Sequence, residues 1–238
     1  MNNCKNCNSE LNGDYCSNCG HAAKPKRIDS HYIIAEIKNL FYLEKGFFYT
    51  IRELLIKPGQ SVREYISADR HKLVKPITFL LLTSLIYTLI NYFFHIDEDY
   101  TNEIIGENAA GIKLYQWIQG NFGYLNLVMG VFIAFWVKIF FKKSGYNFFE
   151  ILVLLCFLMG IEMLISSFFG IIEGITKLHL LYATSMIGFT YKVWATGQFF
   201  ANKPINYLKA LAASLSGLLT FFIIETMIAT IIIRNMQV

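Results

Sequence analysis

The sequence predicts an all-α fold, a polytopic membrane bundle of about five transmembrane helices behind a small, polar, cysteine-rich head. Three observations predict it. Five stretches after residue 76 are long and apolar, charge is crowded ahead of them, and four cysteines stand in two CxxC pairs near the N-terminus. Composition agrees. The 238 residues are 55% hydrophobic and 16% charged, where a soluble domain carries roughly 25% charged residues. Twelve of the 21 Lys and Arg residues precede residue 76. The net charge of +4 is concentrated before and between the apolar stretches. That pattern belongs to membrane topology, so no nucleic-acid partner is expected.

Residues 1–22 form the head. Its cysteines read Cys4-x2-Cys7-x8-Cys16-x2-Cys19. Each CxxC turn offers two sulfurs to one ion, and four thiolates close a tetrahedron, so the spacing predicts a structural Zn2+ ribbon. Asn12-Gly13 between the pairs is a hairpin signal, and Gly20 frees the backbone after Cys19. The alternative, two disulfides, needs an oxidising compartment. Met1-Asn2-Asn3-Cys4 leads into no apolar signal segment, so the N-terminus is expected in the cytosol, where zinc is favoured. A closed four-cysteine site leaves no position for substrate. The ribbon reads as a folding or docking element for a cytosolic protein partner. His21 reads as a surface residue and Cys156, inside an apolar stretch, as a small core residue.

Residues 23–30 read as a linker, and 31–75 as basic amphipathic helices. Ile33, Ile34, Ile37, Leu40 and Phe41 share one helical face. Phe47, Phe48, Ile51, Leu54 and Leu55 repeat the pattern, and Pro58-Gly59 stops it. Ser61-x-x-Glu64 is a capping-box signature for a third short helix burying Val62, Tyr65 and Ile66. The other faces carry Arg52, Lys57, Arg63, Arg70, Lys72 and Lys75. Apolar faces with a basic rim suit a segment on the bilayer surface, against anionic headgroups. They equally suit a helical subdomain packed on the membrane bundle.

Residues 76–238 hold the transmembrane domain, with spans expected at about 76–94, 122–141, 149–172, 179–200 and 207–233. Pro76 stands where a missing N–H is harmless. Loop charges set the expected topology. The 95–121 loop carries Lys113 alone against Asp97, Glu98, Asp99, Glu103 and Glu107, whereas the next turn carries Lys142 and Lys143. Lys177 stands alone in the third turn, the fourth turn region has Lys203 and Lys209, and Arg234 follows the last span. Odd spans thus leave the cytosol, the C-terminus is extracytoplasmic, and the chain is expected in a cytoplasmic (inner) membrane.

Glu162 and Lys192 fall near the middles of the third and fourth spans, and Glu225 in the outer half of the fifth. Charges at such depth usually face the bundle interior. Antiparallel packing brings Glu162 and Lys192 within reach, with Glu225 a second candidate partner. A structural ion pair and a polar pathway both fit. Gly170-x-x-x-Gly174 and the stripe Ala210, Ala213, Ser214 and Gly217 signal close helix contacts, within one chain or between copies of a homo-oligomer. The chain contains no H-E-x-x-H, G-x-S-x-G or P-loop motif, and no catalytic constellation is evident.

The stretch Glu44-Lys45-Gly46-Phe47-Phe48-Tyr49-Thr50, then Leu54-Leu55, Lys57-Pro58-Gly59, Arg63-Glu64-Tyr65-Ile66, Asp69-Arg70 and Lys75-Pro76 resembles the bacterial membrane proteins catalogued as domain of unknown function 3667. The resemblance implies a short zinc ribbon ahead of the first span, as at Cys4 to Cys19. The sequence departs from the pattern at Ala68, where the family has Gly, and at Asp69, where a basic residue would stand. The resemblance implies no activity. Two functions follow from the residues themselves. One is a membrane-anchored interaction or scaffold protein with a zinc-ribbon docking module. The other is a small transporter or channel using Glu162, Lys192 and Glu225.

Overall fold

A computed structural model describes residues 4, 7, 9, 10, 13, 15–19, 46–94, 122–201 and 203–236, with 122–124, 181 and 229–236 as backbone. The expected turn at Asn12, Gly20, His21, the linker 23–30, the amphipathic stretch at 31–45, the acidic loop 95–121 and the side chain of Arg234 lie outside the described residues. The chain divides into two units, Met1–Glu44 and Lys45–Val238.

In the first unit, isolated bridge pairing occurs at Glu10 and Tyr15, with a bend at Gly13. The Cys4 amide donates to the Ser9 carbonyl at 2.8 Å. This bond folds the first CxxC into a knuckle.

The second unit is helical among the described residues. Its elements are α1 (Phe47–Ile56), α2 (Pro58–Ser67), α3 (Pro76–Phe94), α4 (Phe122–Phe140), α5 (Phe148–Thr176), α6 (Leu181–Phe199) and α7 (Pro204–Met236). Helices thus occupy all five apolar stretches. Three of them, Pro76–Phe94, Phe148–Thr176 and Pro204–Ile228, are long and apolar enough to cross a membrane. α4 is apolar over its described side chains, Leu125–Phe140. α6 has 19 residues, but Thr184, Ser185, Thr190, Lys192, Thr196 and Gln198 keep it from being apolar enough.

α1 buries Phe47, Thr50, Glu53 and Leu54, and α2 buries Pro58, Gly59, Ser61, Val62 and Tyr65. These side chains enter the core of the bundle. Tyr65 meets Phe157 with ring centroids 5.3 Å apart, and Phe47 meets Phe79 at 5.6 Å. The two short helices are therefore a subdomain packed on the bundle. One start differs from expectation. The capping-box signature places a helix start at Ser61, but α2 begins a turn earlier, at Pro58. Proline presets the helical φ and lacks only an N–H that the first turn leaves unused. Ser61 lies inside the helix, its hydroxyl 3.4 Å from the Glu53 carboxylate. A capping box does form at α5. Glu150 N–H donates to Asn147 Oδ1 at 2.9 Å, and Asn147 N–H donates to Glu150 Oε2 at 2.7 Å.

Small residues set the closest approaches, as expected where lipid removes the hydrophobic drive between helices. A Cβ on Gly160 would lie 2.6 Å from the Phe79 ring, and one on Gly174 would strike Phe94. A Cβ on Gly217 would lie 2.6 Å from Ile133 Cα. Ala210, Ala213 and Ser214 are buried. The small-residue stripes are thus used within one chain. Trp136 Nε1 donates to Thr220 Oγ1 at 3.3 Å between α4 and α7.

The helices alternate in direction, so the turns collect at two ends. At one end the Phe141 and Phe200 rings stack at 3.9 Å and Tyr146 packs on Phe199 at 4.6 Å. That end holds Lys142, Lys143 and Lys203 in its turns, together with α1 and α2. At the other end Phe94 meets Gly174, and α5 closes on Lys177 in the left-handed conformation, φ 58°.

Candidate functional site

The first site is the cysteine cluster. The Sγ atoms of Cys4, Cys7, Cys16 and Cys19 all lie within 4.8 Å of one another. Cys4 and Cys19 are 3.6 Å apart, and Cys7 and Cys16 are 3.5 Å apart. A disulfide needs about 2.05 Å, and all four thiols are free. A tetrahedron of thiolates about 2.3 Å from a metal has edges of about 3.8 Å, so the four sulfurs fit a metal ion. Ser9 is a residue the sequence reading missed. Its hydroxyl sits 3.0 Å from Cys7 Sγ and 3.1 Å from Cys16 Sγ. That hydroxyl, with the backbone N–H groups of Cys19 and Asn18, holds the Cys16 thiol down to about 6. Cys7 is lowered by the same hydroxyl and by the Ser9 amide. Both thiols are therefore biased toward the thiolate, which is the form that ligates. The readable signal was a hydroxyl two residues after a CxxC pair.

The second site is the charged pair inside the bundle. Lys192 Nζ lies 2.8 Å from Glu162 Oε2. The lysine side chain is 2% exposed and the glutamate 24%. The room for it comes from Gly188, one turn before Lys192, where a Cβ would come within 2.8 Å of Glu162 Cγ. Glu225 is partly exposed on α7, and no ion pair among the described residues joins it to Lys192. The neighbouring Tyr191 faces another way. Its hydroxyl donates to the Leu54 carbonyl of α1 at 2.9 Å.

The basic residues of 46–75 divide into two groups. Arg52, Arg70, Lys72 and Lys75 are exposed. Lys72 pairs with Glu64 at 2.7 Å, and Lys57 with Glu53 at 3.2 Å. Lys72, then Gln60, hold the Glu64 carboxyl below the usual carboxylate range. Arg63 turns inward instead. Its Nη1 donates to the carbonyls of Gln198 at 2.6 Å and Phe199 at 2.9 Å, the last of α6. These carbonyls have no partner within their own helix and carry its negative end, so a guanidinium satisfies both needs. Gln198 answers with its side chain, whose Oε1 accepts from Gly59 N–H at 2.7 Å. At Gly59 an added Cβ would lie 2.4 Å from Phe199 N and 2.5 Å from Gln198 C. Pro58-Gly59 and Arg63 thus form a clasp that seats α2 on the end of α6.

Residues 44–88 match the family model described as Protein of unknown function (DUF3667). The match falls on the stretch whose motif resembles that family. The DUF3667 segment covers α1, α2 and most of α3, so it contains the α1–α2 side of every bond in the clasp. No curated protein and no solved structure matches the chain.

Proposed function

We propose that this chain is a membrane-anchored interaction protein, in which a zinc ribbon docks a cytosolic protein partner and a five-helix bundle holds it at the bilayer. The observation that carries the reading is the closed cluster of four cysteine sulfurs. Four thiolates complete a tetrahedral shell and leave no open position for catalysis. Zinc is the ion that this donor set and geometry suit best. Cys4, Cys7, Cys16 and Cys19 are its ligands, and the metal's contribution is to fold the head.

The five-span arrangement adds α4 and α6 to the three long apolar helices. The basic end, with α1 and α2, lies at the cytosolic face of a cytoplasmic membrane and the C-terminus lies outside, by the positive-inside rule. α1 there contacts anionic headgroups. Its inner face is buried, while Phe48, Leu55 and Ile56 are 71%, 47% and 60% exposed around Arg52. Glu162 and Lys192 fix the register of α5 on α6 in this reading.

The test is crosslinking in intact membranes, wild type against Cys16→Ser/Cys19→Ser. Loss of a specific crosslinked protein, with insertion unchanged, supports docking through the ribbon. Retention of every crosslink sinks it. A changed ion flux in Glu162→Gln, with the crosslinks kept, moves the reading to transport.

A further inference from the structure

Among the five helices that fill the apolar stretches, α6 is set apart. It is long enough to cross a bilayer but not apolar enough to enter one by itself. Lys192 lies about two turns from its end, and the Thr196 hydroxyl is buried with no hydrogen-bond partner among the described residues. Insertion scales penalise such groups when they stand alone in lipid. Yet three neighbours complete this helix. Glu162 of α5 neutralises Lys192 at 2.8 Å. Leu54 of α1 takes the Tyr191 hydroxyl at 2.9 Å. Arg63 and Gly59 of α2 occupy the final carbonyls and the Gln198 side chain.

We infer that α6 is a conditional membrane span, held across the bilayer by the Glu162 carboxylate on one side and by the α1–α2 clasp at its end. The inference rests on the five-span reading above. It assigns the Gly59 and Arg63 positions of the DUF3667 segment a role. They are positioning residues for a helix 135 or more residues away in the chain, and they act at its C-terminal end. The order of synthesis suits this role. α1, α2 and α5 all precede α6, so each fixture is in place when α6 emerges. A polar helix of this kind has two available arrangements, across the membrane or at its surface, and the fixtures decide between them.

The experiment measures which face each turn occupies. Leu178→Cys and Lys203→Cys flank α6 and are introduced separately into the full chain in sealed membrane vesicles of known sidedness. They are labelled with a membrane-impermeant maleimide, and each labelled peptide is identified by mass. In the otherwise wild-type chain the two positions label from opposite faces. Glu162→Leu strands Lys192, and the fraction of chains labelling Lys203→Cys from the Leu178→Cys face rises from under about a tenth to about half. Arg63→Leu moves the fraction the same way by less. Glu162→Leu/Lys192→Leu makes α6 more apolar than in nature and returns the wild-type pattern, which separates stranding of the lysine from general misfolding. Unchanged labelling in Glu162→Leu, or a double variant that fails to recover, overturns the inference alone. A wild-type chain that labels both positions from one face refutes the five-span reading, and the inference with it.

Discussion

Gly59→Ala sets two physical effects against each other with opposite signs. Gly59 lies in the first turn of α2, where local helix propensity favours alanine by up to about 1 kcal/mol. Packing says the reverse. The new Cβ meets main-chain atoms of Gln198 and Phe199 at 2.4–2.5 Å, and main chain inside a packed bundle cannot swing aside as a side chain can. Overpacking of this kind costs roughly 1–3 kcal/mol. If α2 withdraws to relieve it, the Gly59 amide loses Gln198 and Arg63 loses both carbonyls. Hydrogen bonds to a charged group contribute about 1.5–3 kcal/mol. The net expectation is a loss of roughly 2–4 kcal/mol, or a fall in thermal midpoint of roughly 5–15 °C for a chain of this size. The assay is thermal unfolding of the purified full chain in lipid nanodiscs, followed by far-UV circular dichroism. Gln60→Ala, one residue along on the exposed face, removes only a surface hydrogen bond to Glu64 and is expected within about 0.5 kcal/mol of wild type. A Gly59→Ala midpoint equal to or above wild type refutes the clasp, because propensity alone then accounts for the site.

Three further outcomes are expected. Gly217→Leu drives a side chain into Ile133 Cα at 2.6 Å and lowers the thermal midpoint by separating α4 from α7, with a shift in Trp136 fluorescence as its bond to Thr220 breaks. Ser9→Ala removes the hydroxyl between Cys7 and Cys16, and the metal-loaded ribbon is expected to lose metal to a chelator about tenfold faster, as followed by absorbance of the cobalt-substituted protein. Glu64→Gln tests the exposed pair with Lys72 by its pH dependence. The Glu64 carboxyl is lowered by Lys72 and Gln60, so its contribution is present above the ordinary carboxylate range and is lost as pH falls through the lowered value. The Lys72 amine is raised by Glu64, so its contribution is present below the ordinary lysine value and is lost as pH rises through the raised one. The difference between wild type and variant is therefore small and flat through neutral pH, and it vanishes in acid and in strong base. A difference that grows in acid contradicts the pairing.

What could be read from residues alone follows the range of the interactions involved. The five apolar stretches and the i, i+4 pattern of α1 are local signals, and helices lie on them. The two CxxC pairs are likewise local, and their sulfurs come together. In the sequence Arg63 is one more cation on a basic rim, because its partners are 135 and 136 residues away and nothing in its neighbourhood announces a helix end to be capped. Gly59 signals only a helix stop for the same reason. The Ser61-x-x-Glu64 pattern misled because a competing proline start stood three residues earlier, while the working box at Asn147 and Glu150 had an equally plain signature. Thr50 was legible only as part of a motif. Its hydroxyl donates to the Gly46 carbonyl at 2.6 Å and accepts from Val74 N–H at 3.0 Å, so it ties the chain leaving α2 back to the start of α1.

The gathering of cations at one end of the bundle gives it an electrical direction. Arg52, Arg70, Lys75, Lys142, Lys143 and Lys203 are exposed there, whereas Lys177 is exposed at the opposite end. Carrying one elementary charge through a membrane potential takes about 2.3 kcal/mol per 100 mV. In the orientation proposed above, with α1 and α2 on the negative side of a bilayer, inverting the bundle would carry several charges against the potential together. Dissipating the potential would remove that term and leave every contact in the bundle intact.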